Sequence, residues 1–136
     1  MKTKWLFILL LCLGMGIKAQ ETTNTPKIEV IFFQKPNPCH TCIAVQDAVK
    51  ESLEQYFEKE YAKGEITFQI FSFEDESIQE IMHKYEAEGE SLVVIHHRKG
   101  GKFEVKEIFS DMAKVAASKP AKAKKILRNT IAAFYR

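Results

Sequence analysis

Residues 28–33, Ile-Glu-Val-Ile-Phe-Phe, are apolar on both faces of an extended chain once Glu29 is passed. A strand with one wet face alternates apolar and polar residues; a run without alternation suits a strand covered on both sides. Such a strand needs flanking helices, and the sequence that follows supplies them. Gln34 to Pro38 holds two prolines and Asn37 and reads as a turn. From His40 the pattern turns helical. Val45, Val49, Leu53, Tyr56, Phe57 and Tyr61 recur at i, i+3, i+4 spacing with Glu and Lys on the opposite face, and Gly64 is placed to end the helix.

The rest of the chain repeats this alternation of element types. Ile66, Phe68 and Ile70 alternate with Thr67 and Gln69, which gives a second strand. Glu74 to Ser77 is an acidic helix opening in which Ser77 and Glu80 are spaced for a capping box, and Ile78, Ile81, Met82 and Tyr85 form the buried stripe. Gly89 closes that helix, and Leu92 to Ile95 is a short, wholly apolar third strand. Lys99-Gly100-Gly101 reads as a hairpin turn into a fourth strand with Phe103, Val105 and Ile108. From Ser110 the chain is helical again, interrupted at Ser118-Lys119-Pro120, and its last segment presents Ile126, Leu127, Ile131 and Phe134 on one face. The predicted order is β-α-β-α-β-β-α: an α/β fold with a central mixed four-stranded sheet and flanking helices. The crossover helix implies that the first two strands pair in parallel, and the Gly-Gly turn implies an antiparallel last pair.

Two cysteines sit where the first strand meets the first helix, in Pro38-Cys39-His40-Thr41-Cys42. A helix N-terminus offers backbone N–H groups and the positive end of the helix dipole, both of which favour a thiolate at Cys39. Cys42 lies one turn on, within bonding reach of the first sulfur. A disulfide across this spacing closes a tiny loop and removes little unfolded-state entropy, so a purely stabilising bond is poorly motivated. A redox pair is the stronger reading.

The chain totals narrow the function classes. Met1 to Lys4 is basic, Trp5 to Ile17 is an almost unbroken apolar run of 13 residues, and Ala19 is a small residue before Gln20. That pattern predicts a signal peptide over residues 1–19, and the run falls short of the ~20 residues a membrane span needs. Residues 20–27 are polar and form a flexible lead-in; residues 28–136 form the domain. Loss of Lys2, Lys4 and Lys18 turns the formal charge of +2 into −1. No basic stretch interleaved with aromatics remains to track phosphates, so nucleic acid is not an expected partner. Cys12 leaves with the signal, and a chain exported with only Cys39 and Cys42 is not a disulfide scaffold. A single-domain monomer with no membrane span, periplasmic or extracellular, is expected. The basic face of the last helix (Lys119, Lys122, Lys124, Lys125, Arg128) reads as solvated surface.

Taken together, the strand–turn–C-x-x-C–helix unit, the next βα unit and the terminal ββα resemble the thioredoxin-like superfamily over about residues 28–134. Gly89-Glu90-Ser91-Leu92-Val93-Val94 and the ending from Ile126 to Phe134 are similar to a small thioredoxin-like family labelled as a subunit of a nitrophenyl-compound nitroreductase. The resemblance implies that Cys39 attacks and Cys42 resolves, that no cofactor beyond the redox-active Cys39–Cys42 disulfide is needed, and that the partner is a protein thiol or disulfide. The sequence departs from the family at three places. Pro38 stands where a tryptophan is usual. The buried acid that helps deprotonate the resolving cysteine falls at Phe33, and the cis-proline that shapes substrate docking falls near Ser91.

The expected function is therefore an exported thiol–disulfide oxidoreductase. His40, a cation when protonated, is placed to tune the potential; Thr41 is an inert spacer or a hydroxyl donor, and Pro38 fixes the turn. Ser91 takes the substrate-docking position. The missing proline and acid also fit a thioredoxin-like adaptor or electron-transfer subunit with one dedicated partner. A third reading, metal carriage by Cys39, His40 and Cys42 with His96-His97, lacks the second ligand pair of a closed zinc site, so no metal is assigned.

Overall fold

The computed structural model describes residues 25–136; the expected signal peptide and residues 20–24 lie outside the described residues. Among the described residues, eleven elements make an α/β fold. β1 (Ile28–Gln34) is followed by α1 (His40–Tyr56), α2 (Glu58–Ala62) and β2 (Ile66–Ser72). A 3-10 turn (Glu76–Ile78) leads into α3 (Gln79–Lys84), then β3 (Ser91–His97), a second 3-10 turn (Lys99–Gly101), β4 (Phe103–Glu107), α4 (Phe109–Ala113) and α5 (Pro120–Phe134). The sheet order is β2-β1-β3-β4. β1 pairs in parallel with β2 and antiparallel with β3, and β3 pairs antiparallel with β4. A mixed four-stranded sheet with flanking helices is consistent with a thioredoxin-like arrangement, as the element order predicted.

The unbroken apolar run of β1 has its cause in this topology. Val30 and Phe32 join Ile28, Leu92 and Val94 in a core closed by α1, α4 and α5; Ile31 and Phe33 join Val93 and Ile95 in a second core closed by α3. Successive residues of a strand point to opposite faces, so a strand between two cores must be apolar at both parities. Glu29 escapes because it lies near the strand's start, where its carboxylate meets His97 Nε2 at 3.0 Å. α1 is held to α5 by Val45, Val49 and Leu53 against Ala123, Leu127 and Ile131, and by the buried Ser52 hydroxyl, which donates to the Lys124 carbonyl at 2.9 Å.

Several local expectations are corrected. The first helical pattern is two helices: Phe57 leaves helical geometry at φ −136°, its N–H still bonding the Leu53 carbonyl, and α2 restarts at Glu58. Turning here lets Phe57 and Tyr61 both reach the α1 side of the sheet. The capping box at Ser77 and Glu80 does not form; Asp75 is the cap, accepting from the Ser77 N–H at 2.9 Å and the Ser77 hydroxyl at 2.8 Å. Two acceptor contacts to the charged form hold the Asp75 carboxyl below its ordinary value. Gly89 does not end α3, which stops at Lys84; Gly89 shapes the loop before β3. Ile108 is not in β4: at φ −134°, ψ 6° it turns the chain into α4 and enters the other core from Val105. The basic face of α5 is not wholly left to water, since Lys124 meets Glu51 at 3.2 Å and Arg128 lies over the Tyr56 ring. Among the described residues no helix is long and apolar enough to cross a membrane.

Leu53 is fully buried at the α1–α5 contact. Leu53→Ala is expected to destabilise the domain by about 2–5 kcal/mol, with the urea midpoint lowered and the slope unchanged.

Candidate active site

β1 and the turn at residues 35–38 carry the chain from the sheet to the start of α1, and Cys39 is the residue that caps it. Its backbone is extended (φ −74°, ψ 167°), its carbonyl accepts the first helical bond from the Ile43 N–H at 3.0 Å, and its sulfur accepts from the Cys42 N–H at 3.4 Å. A cap lies at the rim of the helix and faces outward, so Cys39 is exposed. Cys42, in the first turn, faces the core beside Val45 and is 1% exposed. Both are free thiols, and their sulfurs lie 2.8 Å apart.

The two thiols are therefore driven apart chemically. Cys39 is held below the ordinary thiol value, first by the hydrogen bond with the Cys42 side chain, then by the Cys42 and Thr41 backbone N–H groups. Partial desolvation and the charge of Glu90 oppose this without reversing it. Cys42 is pushed up to about 12, first by burial, then by its contacts with Cys39 and Glu90, each of which is better served by a thiol than by a thiolate. The exposed sulfur ionises more easily than an ordinary thiol, and its buried neighbour holds its proton more tightly.

Glu90, which the sequence reading did not single out, completes the group: the Cys42 thiol donates to its Oε1 at 3.0 Å across 48 residues of chain. The loop from Tyr85 to Glu90 carries the carboxylate there. Glu86 (φ 54°) and Gly89 (φ 60°) both adopt left-handed backbone, and the Ser91 hydroxyl bonds the Gly89 carbonyl at 3.4 Å. Only the glycine adopts that conformation freely; at Glu86 it is strained. Glu90 is half-buried, and with Glu86, Glu88, Ser91, Glu107 and Phe109 it lines an open cleft of about 310 Å³. Glu107 is structural there: its Oε1 accepts from the Phe109 N–H at 2.8 Å and the Leu92 N–H at 3.4 Å.

The other residues singled out from the sequence fall as follows. His40 is the first residue of α1 and is exposed; Thr41 and Pro38 are half-buried beside the cysteines. Ser91, the first residue of β3, is 4% exposed, and the described residues contain no cis peptide bond. Phe33 lies in the core on the opposite sheet face from Cys42. His96 and His97 end β3 at the far side of the sheet from Glu90, about 20 Å away at the strand rise, with His97 on Glu29 and His96 against the Phe134 ring. The structure thus brings Pro38, Cys39, His40, Thr41, Cys42 and the Ser91 end of β3 together and leaves the histidine pair apart from them. Among the described residues no three His, Cys, Asp or Glu side chains gather so as to hold a metal ion.

Compared with protein-family models, with curated proteins and with solved structures, the chain shows no match in any of the three.

The asymmetry of the two thiols is open to measurement. Alkylation of the reduced protein by iodoacetamide should modify Cys39 alone, and its rate should rise with pH and level off below the ordinary thiol range of about 8.5. Cys42 should remain unmodified until the fold is opened. A single transition above that range would mean the cap and the Cys42 contact do not stabilise the thiolate.

Proposed function

We propose that this protein is an exported thiol–disulfide oxidoreductase of the thioredoxin-like superfamily, exchanging the Cys39–Cys42 pair with a partner protein. The observation that carries the reading is the division within the pair: an exposed thiol whose ionisation is eased, 2.8 Å from a buried thiol whose ionisation is opposed. Disulfide exchange needs both, an attacker that is ionised before the partner arrives and a second thiol protected until the first has reacted.

In the reducing direction the Cys39 thiolate attacks one sulfur of the partner disulfide. A Cys39–partner mixed disulfide forms, and the other partner sulfur leaves as thiolate and takes a proton from water. Cys42 then loses its proton and attacks Cys39 Sγ, expelling the partner's second sulfur. Two electrons pass to the partner, and Cys39–Cys42 becomes the disulfide. The oxidising direction is the reverse. No cofactor beyond that disulfide takes part. The apolar run of residues 5–17 supports export, where the pair meets an oxidising compartment.

A second reading, an adaptor or electron-transfer subunit serving one partner, is favoured by one observation. Ser91, a buried serine on a trans peptide, stands where the family's docking proline is expected. Insulin reduction separates the two: a general reductant turns insulin over, whereas a dedicated subunit does not and co-purifies with a single protein.

Cys42→Ser should accumulate a covalent partner through Cys39, visible as a reductant-sensitive band on a non-reducing gel. If the variant traps nothing while Cys39 remains alkylatable, exchange is not its activity. The reduction potential sets the direction, with a value near about −270 mV marking a reductant and near about −120 mV an oxidant. His40→Ala should lower it if His40, when protonated, sets a cation beside the thiolate and stabilises the reduced form; an unchanged potential would remove His40 from the tuning set.

A further inference from the structure

The Cys42 thiol has one proton and two acceptors, Cys39 Sγ at 2.8 Å and Glu90 Oε1 at 3.0 Å. A thiol donates a single hydrogen bond, so the two compete. When Cys39 ionises in the resting dithiol, its thiolate is the nearer anion, and the Cys42 proton turned toward it stabilises the attacker. Once Cys39 is bonded to a partner, its sulfur carries no charge and is a weak acceptor. The Glu90 carboxylate is then the only anion in contact with the proton.

We propose that Glu90 is the catalytic base of the resolving step, engaged by formation of the mixed disulfide itself. The step balances as follows. The Cys42 S–H proton passes to Glu90 Oε1, the Cys42 sulfur pair forms the bond to Cys39 Sγ, and the Cys39–partner bond breaks with its electron pair on the departing sulfur. Glu90, half-buried at the edge of an open cleft, returns the proton to that thiolate or to water. The partner disulfide is the oxidant. Before the first step the same carboxylate works against ionisation of Cys42, which keeps the second sulfur from reacting early.

The placement of Glu90 supports a working role. It precedes Ser91, whose pairing opposite Phe33 fixes the start of β3, and the left-handed Gly89 turns the chain so that the carboxylate faces α1. The β1 position expected to hold such an acid holds Phe33, on the sheet face away from Cys42. The acid therefore reaches the buried cysteine from the loop before β3 rather than from β1.

The inference rests on the proposed exchange activity, and one experiment separates the two. The aromatic disulfide DTNB reacts with the reduced protein in two coloured phases: attack by Cys39 releases one thiolate, and resolution by Cys42 releases the second. Cys42→Ser should give the first phase alone. Glu90→Gln, which keeps shape and half-exposure but cannot take the proton, should leave the first phase as fast as wild type or faster. It should slow the second by roughly a hundredfold at neutral pH, less as rising pH lets hydroxide do the work, and Glu90→Asp should recover part of the loss. A slowing of tenfold or more that shrinks with pH supports the assignment; a smaller one, or one that ignores pH, overturns it while leaving exchange intact. A wild-type protein with no second phase would instead overturn the exchange mechanism.

Discussion

β1 has neither a free edge nor a free face. It is hydrogen-bonded to β2 on one side and β3 on the other, and its residues are shared between two cores. Every other feature takes its position from that strand. Its end fixes where the turn begins, the turn fixes where α1 starts, and the helix start decides which cysteine is a cap and which enters the core. The antiparallel partner β3 brings its first residue back beside the same end of β1, and with it the loop that carries Glu90. A one-residue slip of β1 would exchange Phe32 with Phe33 across the sheet and send both cysteines elsewhere.

Helix geometry turns two chemically identical side chains into unlike ones. Three residues of helix rotate the second thiol from the rim to the interior while moving it by only one turn. Burial then penalises the charged form of Cys42, and the cap position rewards that of Cys39, so the hydrogen bond between them has a preferred polarity. The exposed Ile43, four residues beyond Cys39, leaves an apolar side chain on the helix face that begins with that cysteine.

The fold was legible in the sequence because its determinants are local. The two-sided apolar run of β1, the proline-rich turn, the 3.6-residue stripe of α1 and the Gly-Gly turn each declare their element within a window of a few residues. Where local signals competed with tertiary demands, as at Phe57 and Ile108, the chain followed the core. Cys39 and Cys42 were equally legible, being three residues apart. Glu90 was not: it meets Cys42 only through a loop with two left-handed residues, one of them a glutamate in a conformation no composition rule would assign. The resemblance puts the acid at Phe33, whose side chain strand parity sends to the sheet face away from Cys42. Exposed glutamates are common in this chain, and nothing in the residues around Glu90 marks it, except that Gly89 before it can turn the backbone.

Ser91 at the start of β3 and the Glu90 carboxylate beside it have linked consequences. A serine keeps the backbone N–H that a proline lacks and places its hydroxyl on the Gly89 carbonyl, tying the loop into a compact turn before the strand begins. That turn aims Glu90 at Cys42, and the same loop forms one wall of the cleft that Glu90 lines. A partner seated there would strip water from the carboxylate as its own sulfur bonds to Cys39. Desolvation makes a carboxylate a stronger base, so in the proposed exchange docking and proton removal would reinforce each other. In a site where the acid lies behind the cysteines, away from the partner, the two events are separate; under the proposed exchange the loop before β3 would join them.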